Sequence, residues 1–143
     1  MQVIISHRGN LNGPNPVEEN NPTKVMGVIA QGFDVEVDLW YLPEGIFLGH
    51  DAPKYKVDYW FLINKHLWIH CKNVKAIACL SEDERLNLFY HTEGATYTSK
   101  GYLITEPGKS VGYKSIACMP ELVKDWDIRE AYGVCTDYPL KYR

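Results

Sequence analysis

Glu36 and Asp38 stand two residues apart in the apolar run from Asp34 to Tyr41, and His50-Asp51 follows shortly after. Side chains two apart on a strand point the same way, so the spacing predicts both carboxylates on one face. Two convergent carboxylates with an imidazole nearby can hold a hard divalent cation and move a proton beside it. The same pattern also suits an edge strand with a solvated acidic face. Other reactive groups close short apolar runs. His7-Arg8 follows Val3 to Ile5, His70 and Lys72 end the run from Leu67, and His91 and Glu93 follow Leu86 to Tyr90. Glu106 follows Tyr102 to Thr105, and Asp137 follows Tyr132 to Cys135.

Cleavage of a phosphodiester needs three things from such a set. Negative charge on the nonbridging oxygens must be held, a nucleophile must lose a proton, and the leaving alkoxide must gain one. A cation on Glu36 and Asp38, with Arg8 and Lys72, could hold the charge. His7 and His50 could move the protons, since imidazole titrates near neutral pH. Plainer roles are open to the same residues. His7 could cap a turn, His70 could be a hydrogen-bonded core histidine, and Lys72 a solvated strand-end lysine. Asn73 fits the cap of a helix starting at Val74. Asp137 could orient a ligand or close the fold. Lys100, in the polar stretch Tyr97 to Lys100, could contact phosphate or sit in an ordinary turn.

Short strands must position these groups. Val3 to Ile5, Asp34 to Tyr41, Ile46 to Leu48, Leu67 to Cys71, Leu86 to Tyr90, Tyr102 to Thr105, Ser115 to Met119 and Tyr132 to Cys135 read as strands. Asn21-Pro22 opens a helix that Gly32 stops. Tyr55 to Asn64 and Val74 to Leu80 read as helices, and Val123 to Arg129 as a weak one. Short strands that end in titratable residues, with helices between, suit a parallel βα barrel or sheet, whose loops after the strand ends carry the chemistry. A full eight-fold barrel needs about 250 residues, and the later connections are too short for full helices. The expectation is an α/β domain over residues 1–143: a reduced TIM-like barrel of about seven mostly parallel strands, with several outer helices shortened or missing. An open parallel sheet is the competing topology.

The chain has 143 residues and a formal net charge of −3, which gives no general footprint for nucleic acid or for an anionic membrane. No apolar run approaches the roughly 18 residues that span a bilayer, and Met1 to Ser6 lacks the features of a signal peptide. A cytoplasmic location is expected. Cys71, Cys79, Cys118 and Cys135 form no C-x-x-C pair, so free thiols are expected. Apolar edges of an incomplete barrel would be hidden in a homodimer.

The ordered set His7-Arg8-Gly9, Glu19-Asn20, Glu36-x-Asp38, His50-Asp51, Lys72 at a strand end and Thr136-Asp137-Tyr138-Pro139 resembles the glycerophosphodiester phosphodiesterases. That family lies in the barrel superfamily that includes phosphatidylinositol-specific phospholipase C. The resemblance covers Val3 to Lys72 and, more loosely, the last strand. It implies that His7 and His50 are the general acid and base, that Arg8 contacts phosphate, and that Glu36 and Asp38 bind Mg²⁺ or Ca²⁺. The family adds a third metal-binding Glu two residues before the strand-end Lys, and this chain has His70 there. Imidazole suits Mn²⁺, Fe²⁺ or Zn²⁺ better than Mg²⁺ or Ca²⁺. Either His70 shifts the metal preference or Glu93 or Glu106 supplies the missing carboxylate. Glu19, Asn20, His91, Glu93, Lys100, Glu106 and Asp137 complete the candidate pocket. The implied activity is metal-dependent hydrolysis of a small glycerol- or sugar-linked phosphodiester through a cyclic phosphate. A phosphate- or glycan-binding module without turnover, and a lyase that releases the cyclic phosphate, are the alternatives.

Overall fold

The β-branched and aromatic runs become strands, and Asn, Asp and Pro residues set where helices begin. A computed structural model describes residues 2–91, 94 and 96–143. In chain order the elements are β1 (Val3–His7), α1 (Pro22–Ala30), β2 (Asp34–Leu42), β3 (Gly45–Leu48), β4 (Tyr55–Val57), α2 (Tyr59–Leu62) and β5 (Leu67–Cys71). Then come α3 (Val74–Leu80), β6 (Leu88–Phe89), β7 (Thr96–Tyr97), β8 (Leu103–Thr105), β9 (Ser115–Cys118) and β10 (Gly133–Thr136). Asn21 caps α1 by accepting from the Thr23 and Lys24 amides, with Pro22 in the first turn. Asn73 caps α3 in the same way, and its amide also donates to the Tyr41 carbonyl at 2.9 Å.

The strands form one curled mixed sheet in the order β4-β3-β2-β1-β10-β9-β8-β7, with β5 paired to β2 and β6 to β5. β3, β4 and β7 lie antiparallel to their neighbours. This overturns the expected TIM-like barrel: the sheet is a half-barrel, not a ring of parallel βα units. β6 and β8 share no ladder among the described residues. The turn carrying Ser99 stands between them, its amide donating to the Leu88 carbonyl at 2.7 Å. The physical reason lies in the connections. A parallel strand must be returned by a crossover, usually a helix. Pro43-Glu44 instead turns β2 straight back into β3, and β3 into β4 follows the same antiparallel course. Among the described residues the three α-helices have nine, four and seven residues.

Two of the expected helices are corrected. Tyr55 to Asn64 divides at Asp58, which caps α2 by accepting from Phe61 N, and Tyr55–Val57 pairs with β3 instead. Val123 to Arg129 forms no helix. Only a 3₁₀ turn, Pro120–Leu122, precedes it, and Asp125 adopts φ 59°.

Period-two alternation assigns the two faces of the curl. Val35, Val37, Leu39, Leu67 and Ile69 face outward and pack with Val25 and Val28 of α1 and Ala76 and Leu80 of α3. Ile5, Trp68, Ile116 and Cys135 face inward and form a second cluster. Two residues farther along four of the parallel strands the inner face turns polar: Ile5 gives way to His7, Trp68 to His70, Ile104 to Glu106 and Cys135 to Asp137. Parallel pairing brings these strand ends to one rim.

Candidate functional site

His7 ends β1 beside Asp137, which follows β10. Its Nδ1 lies 2.8 Å from Asp137 Oδ1, and its Nε2 lies 3.8 Å from Glu36 Oε1. Burial works against ionised Asp137, but its bonds with His7 and Asn10 outweigh that and hold it below the usual carboxylate value. An ionised Asp137 can only accept, so His7 donates from Nδ1 and leaves Nε2 facing the cleft. Burial also disfavours the charged His7 ring. The Asp137 bond and the Glu36 charge overcome it and raise the pKa above 6.5.

Arg8 sits at φ 58°, followed by Gly9 at φ 85°, so the chain turns sharply and throws the guanidinium across the rim. Arg8 donates to Glu19 Oε1 at 3.2 Å, and its Nε lies 3.3 Å from Asp38 Oδ2. A second terminal nitrogen lies 3.3 Å from His50 Nε2. Arginine can only donate, so His50 Nε2 accepts. Burial, then the Arg8 charge, lower the His50 pKa below 6.5, and the nearby Lys72 acts in the same direction. The turn carrying His50 demands glycine at position 49, because a Cβ there would collide with the Ala52 carbonyl. Trp40 Nε1 donates to the Gly49 carbonyl at 2.7 Å and fixes that turn.

Register places Asp38 opposite His70 on the adjacent parallel strand. Glu36, Asp38 and His70 each offer one ligand atom within 4.8 Å of the others. His70 Nδ1 is 3.2 Å from Asp38 Oδ1 and 3.7 Å from Glu36 Oε2, and Phe89 stacks on the ring at 4.8 Å between centroids. Asn20, fully buried at φ 65°, donates to Asp38 Oδ2 and accepts from the Asp38 amide, both at 2.9 Å. Burial would raise the Asp38 pKa. The His70 ring, the Asn20 bond and the Arg8 charge prevail and hold it at about 2. Glu36 is pushed the other way, by burial and then by the Asp38 charge. Glu36 Oε1 and Asp38 Oδ1 are both buried without a hydrogen-bond partner. The His70 contact lies within range of Asp38 Oδ1 but not in bonding alignment. Two orphaned carboxylate oxygens and a facing imidazole nitrogen suit a divalent cation, with the nitrogen widening the choice to Mn²⁺ and its neighbours.

His7, Arg8, Glu19, Asn20, Glu36, Asp38, His50, His70 and Asp137 thus converge on one rim. Lys72, half-buried, lies near enough for His50 to feel its charge. His91 and Glu106 line the opposite wall of the cleft shared by His7, Glu36 and His70. The compact trio takes His70 rather than Glu106 as its third member. Lys100 is exposed in the turn after β7 and lines none of the clefts at this rim. Glu93 lies outside the described residues. Sequence reasoning missed Asn10, which is fully buried and bridges Glu19 Oε2 at 3.0 Å and Asp137 Oδ1 at 2.8 Å. Its only signal was its place directly after His7-Arg8-Gly9.

No family model, curated protein or solved structure matches this chain.

The two imidazoles yield a pH expectation for the metal-free protein. His7 should titrate above 6.5 and His50 below it, followed by nitrogen-15 spectra of the ring nitrogens. Raised His7 stabilises the fold below 6.5, and that contribution fades as pH rises through its folded value. Lowered His50 acts oppositely: it favours the fold above 6.5 and costs stability as pH falls. A single shared midpoint for both rings would contradict the geometry.

Proposed function

We propose that this chain is a divalent-metal-dependent phosphodiesterase of the glycerophosphodiester phosphodiesterase type. The observation that carries the reading is the trio of buried Glu36 and Asp38 with half-buried His70, and an imidazole at each carboxylate. His7 Nε2 is 3.8 Å from Glu36, and His50 Nδ1 is 3.5 Å from Asp38. Glu36, Asp38 and His70 would hold the cation, either Mg²⁺ or Ca²⁺ as the resemblance implies, or Mn²⁺ as the imidazole donor favours. When bound, it supplies positive charge to the phosphoryl oxygens.

The chain's own groups do the rest. Arg8 and Lys72 bind nonbridging oxygens. As Arg8 turns from His50 Nε2 to the phosphate, neutral His50 takes the proton from the attacking hydroxyl at that nitrogen while the new P–O bond forms. Protonated His7 gives one to the leaving alkoxide as the old P–O bond breaks, and Asp137 holds its ring in the right tautomer. Asn20 and Asn10 position Asp38 and Asp137. The substrate is a small glycerol- or sugar-linked phosphodiester rather than nucleic acid. We place the reaction in the cytoplasm, where four unbridged cysteines suit the reducing milieu. Among the described residues, no helix is long and apolar enough to cross a membrane.

Chelated protein is incubated with bis(p-nitrophenyl) phosphate and with glycerophosphocholine, then given Mg²⁺, Ca²⁺ or Mn²⁺. Release stimulated by at least one cation is expected. Silence with every pair sinks the enzyme and leaves a phosphate-binding module, the alternative that His70 in place of the resembled family's third carboxylate favours. A cyclic phosphate as the end product in phosphorus-31 spectra marks a lyase.

A further inference from the structure

We infer that one ester arm of the substrate is apolar and seats against Phe89, Ile104 and Met119, beside His7. The inference rests on the phosphodiesterase reading above and narrows its substrate. A cleft of about 190 Å³ opens from the rim into the curl, lined by His7, Glu36 and His70 at one edge. Below that edge the lining is apolar: Trp68 and Ile116 form the floor, and Phe89, Ile104, Pro107 and Met119 form the walls. Its remaining titratable groups, His91 and Glu106, are exposed at the outer lip, and Cys118 and Cys135 are thiols. A sugar arm placed there would lose water and find few hydrogen-bond partners below the edge, which is unfavourable.

The rim has a second cleft at Arg8, where Glu19, Asn20, His50, Asp51 and Lys54 join Pro16, Ala52 and Pro53. The two clefts flank one set of phosphate-facing groups. A diester held by Arg8 can send one arm each way, and the cleft beside His7 is the more apolar of the two. Each methylene moved from water into such a lining improves binding by about fourfold. His7 lines the apolar cleft and His50 the other, so the apolar arm is the leaving alcohol and the polar arm stays on the His50 side.

The test uses the intact 143-residue chain loaded with Mn²⁺. Affinities for dimethyl, diethyl and dibutyl phosphate are measured by calorimetry, and release of methanol, ethanol or butanol from the matching glycerol alkyl phosphates is followed in parallel. Dibutyl phosphate is expected to bind roughly 60-fold tighter than dimethyl phosphate, from three more methylenes on one arm. Ile104→Asn and Met119→Gln should each flatten this dependence, and two variants guard against one that misfolds. Equal affinities across the series, or a gradient untouched by both variants, overturn the inference. Absent turnover of all esters would instead defeat the phosphodiesterase reading, while the binding series still decides whether the apolar arm is recognised.

Discussion

His7→Ala is expected to lower turnover of glycerophosphocholine, whose leaving alkoxide needs a proton, by about 10²–10⁴-fold, the usual loss when a positioned general acid is removed. The fold should survive. His7 lies at a strand end on the rim and belongs to none of the three apolar clusters. Its partner Asp137 keeps the Asn10 bond at 2.8 Å and so is not left as an unpaired buried charge. The loss should fall on kcat with little change in KM, because the proton is needed only as the leaving oxygen departs. Asp137→Asn should give a smaller fall, since it removes the acceptor that fixes the His7 tautomer and leaves the ring in place. Circular dichroism and a melting curve beside the kinetics separate lost chemistry from lost structure. Wild-type turnover in folded His7→Ala protein would remove this residue from the reaction.

Asp38→Asn should weaken Mn²⁺ binding by more than about 100-fold, beyond the 10–100-fold typical of losing an outer hydrogen-bond partner of a ligand. The substitution keeps the shape and removes the charge. Asp38 is 1% exposed and faces His70, Arg8, His50 and Asn20. Its ionised form is strongly favoured, with a pKa of about 2, so at neutral pH a full charge is withdrawn. Asn20→Ala provides the graded comparison. It leaves the carboxylate but removes both bonds that orient it, so its effect should fall within the 10–100-fold range. Titration calorimetry reads both without any substrate. Unchanged Mn²⁺ affinity in Asp38→Asn would exclude this trio as the cation site, whatever its activity.

Much of the site could be read before any coordinates. Glu36 and Asp38 share a face because strand side chains alternate, and the register with β5 then sets His70 beside them. Asn21-Pro22 announces α1 through local capping chemistry, and Asn73 announces α3. The failures share a cause. Tyr55 to Asn64 has an aromatic-rich pattern that suits either a helix or a strand. Pairing with β3, a contact outside the segment, chose strand for its first part. Asn10 sits in a polar loop that looks solvated, and only the approach of Asp137, 127 residues away, shows it to be buried.

The residue order alone determines the local facts: which runs alternate, where helices are capped, and that titratable groups follow apolar strands. These depend on neighbours within a turn or two, where sterics and hydrogen bonding act. Tertiary structure alone decided that the sheet stays an open, mixed half-barrel. It also decided that β1 pairs with β10, with Val3 opposite Gly133, so that His7 finds Asp137. Closure and pairing across such separations depend on whether each connection can return its strand. That is a competition among whole-chain arrangements, and no short stretch of residues encodes it.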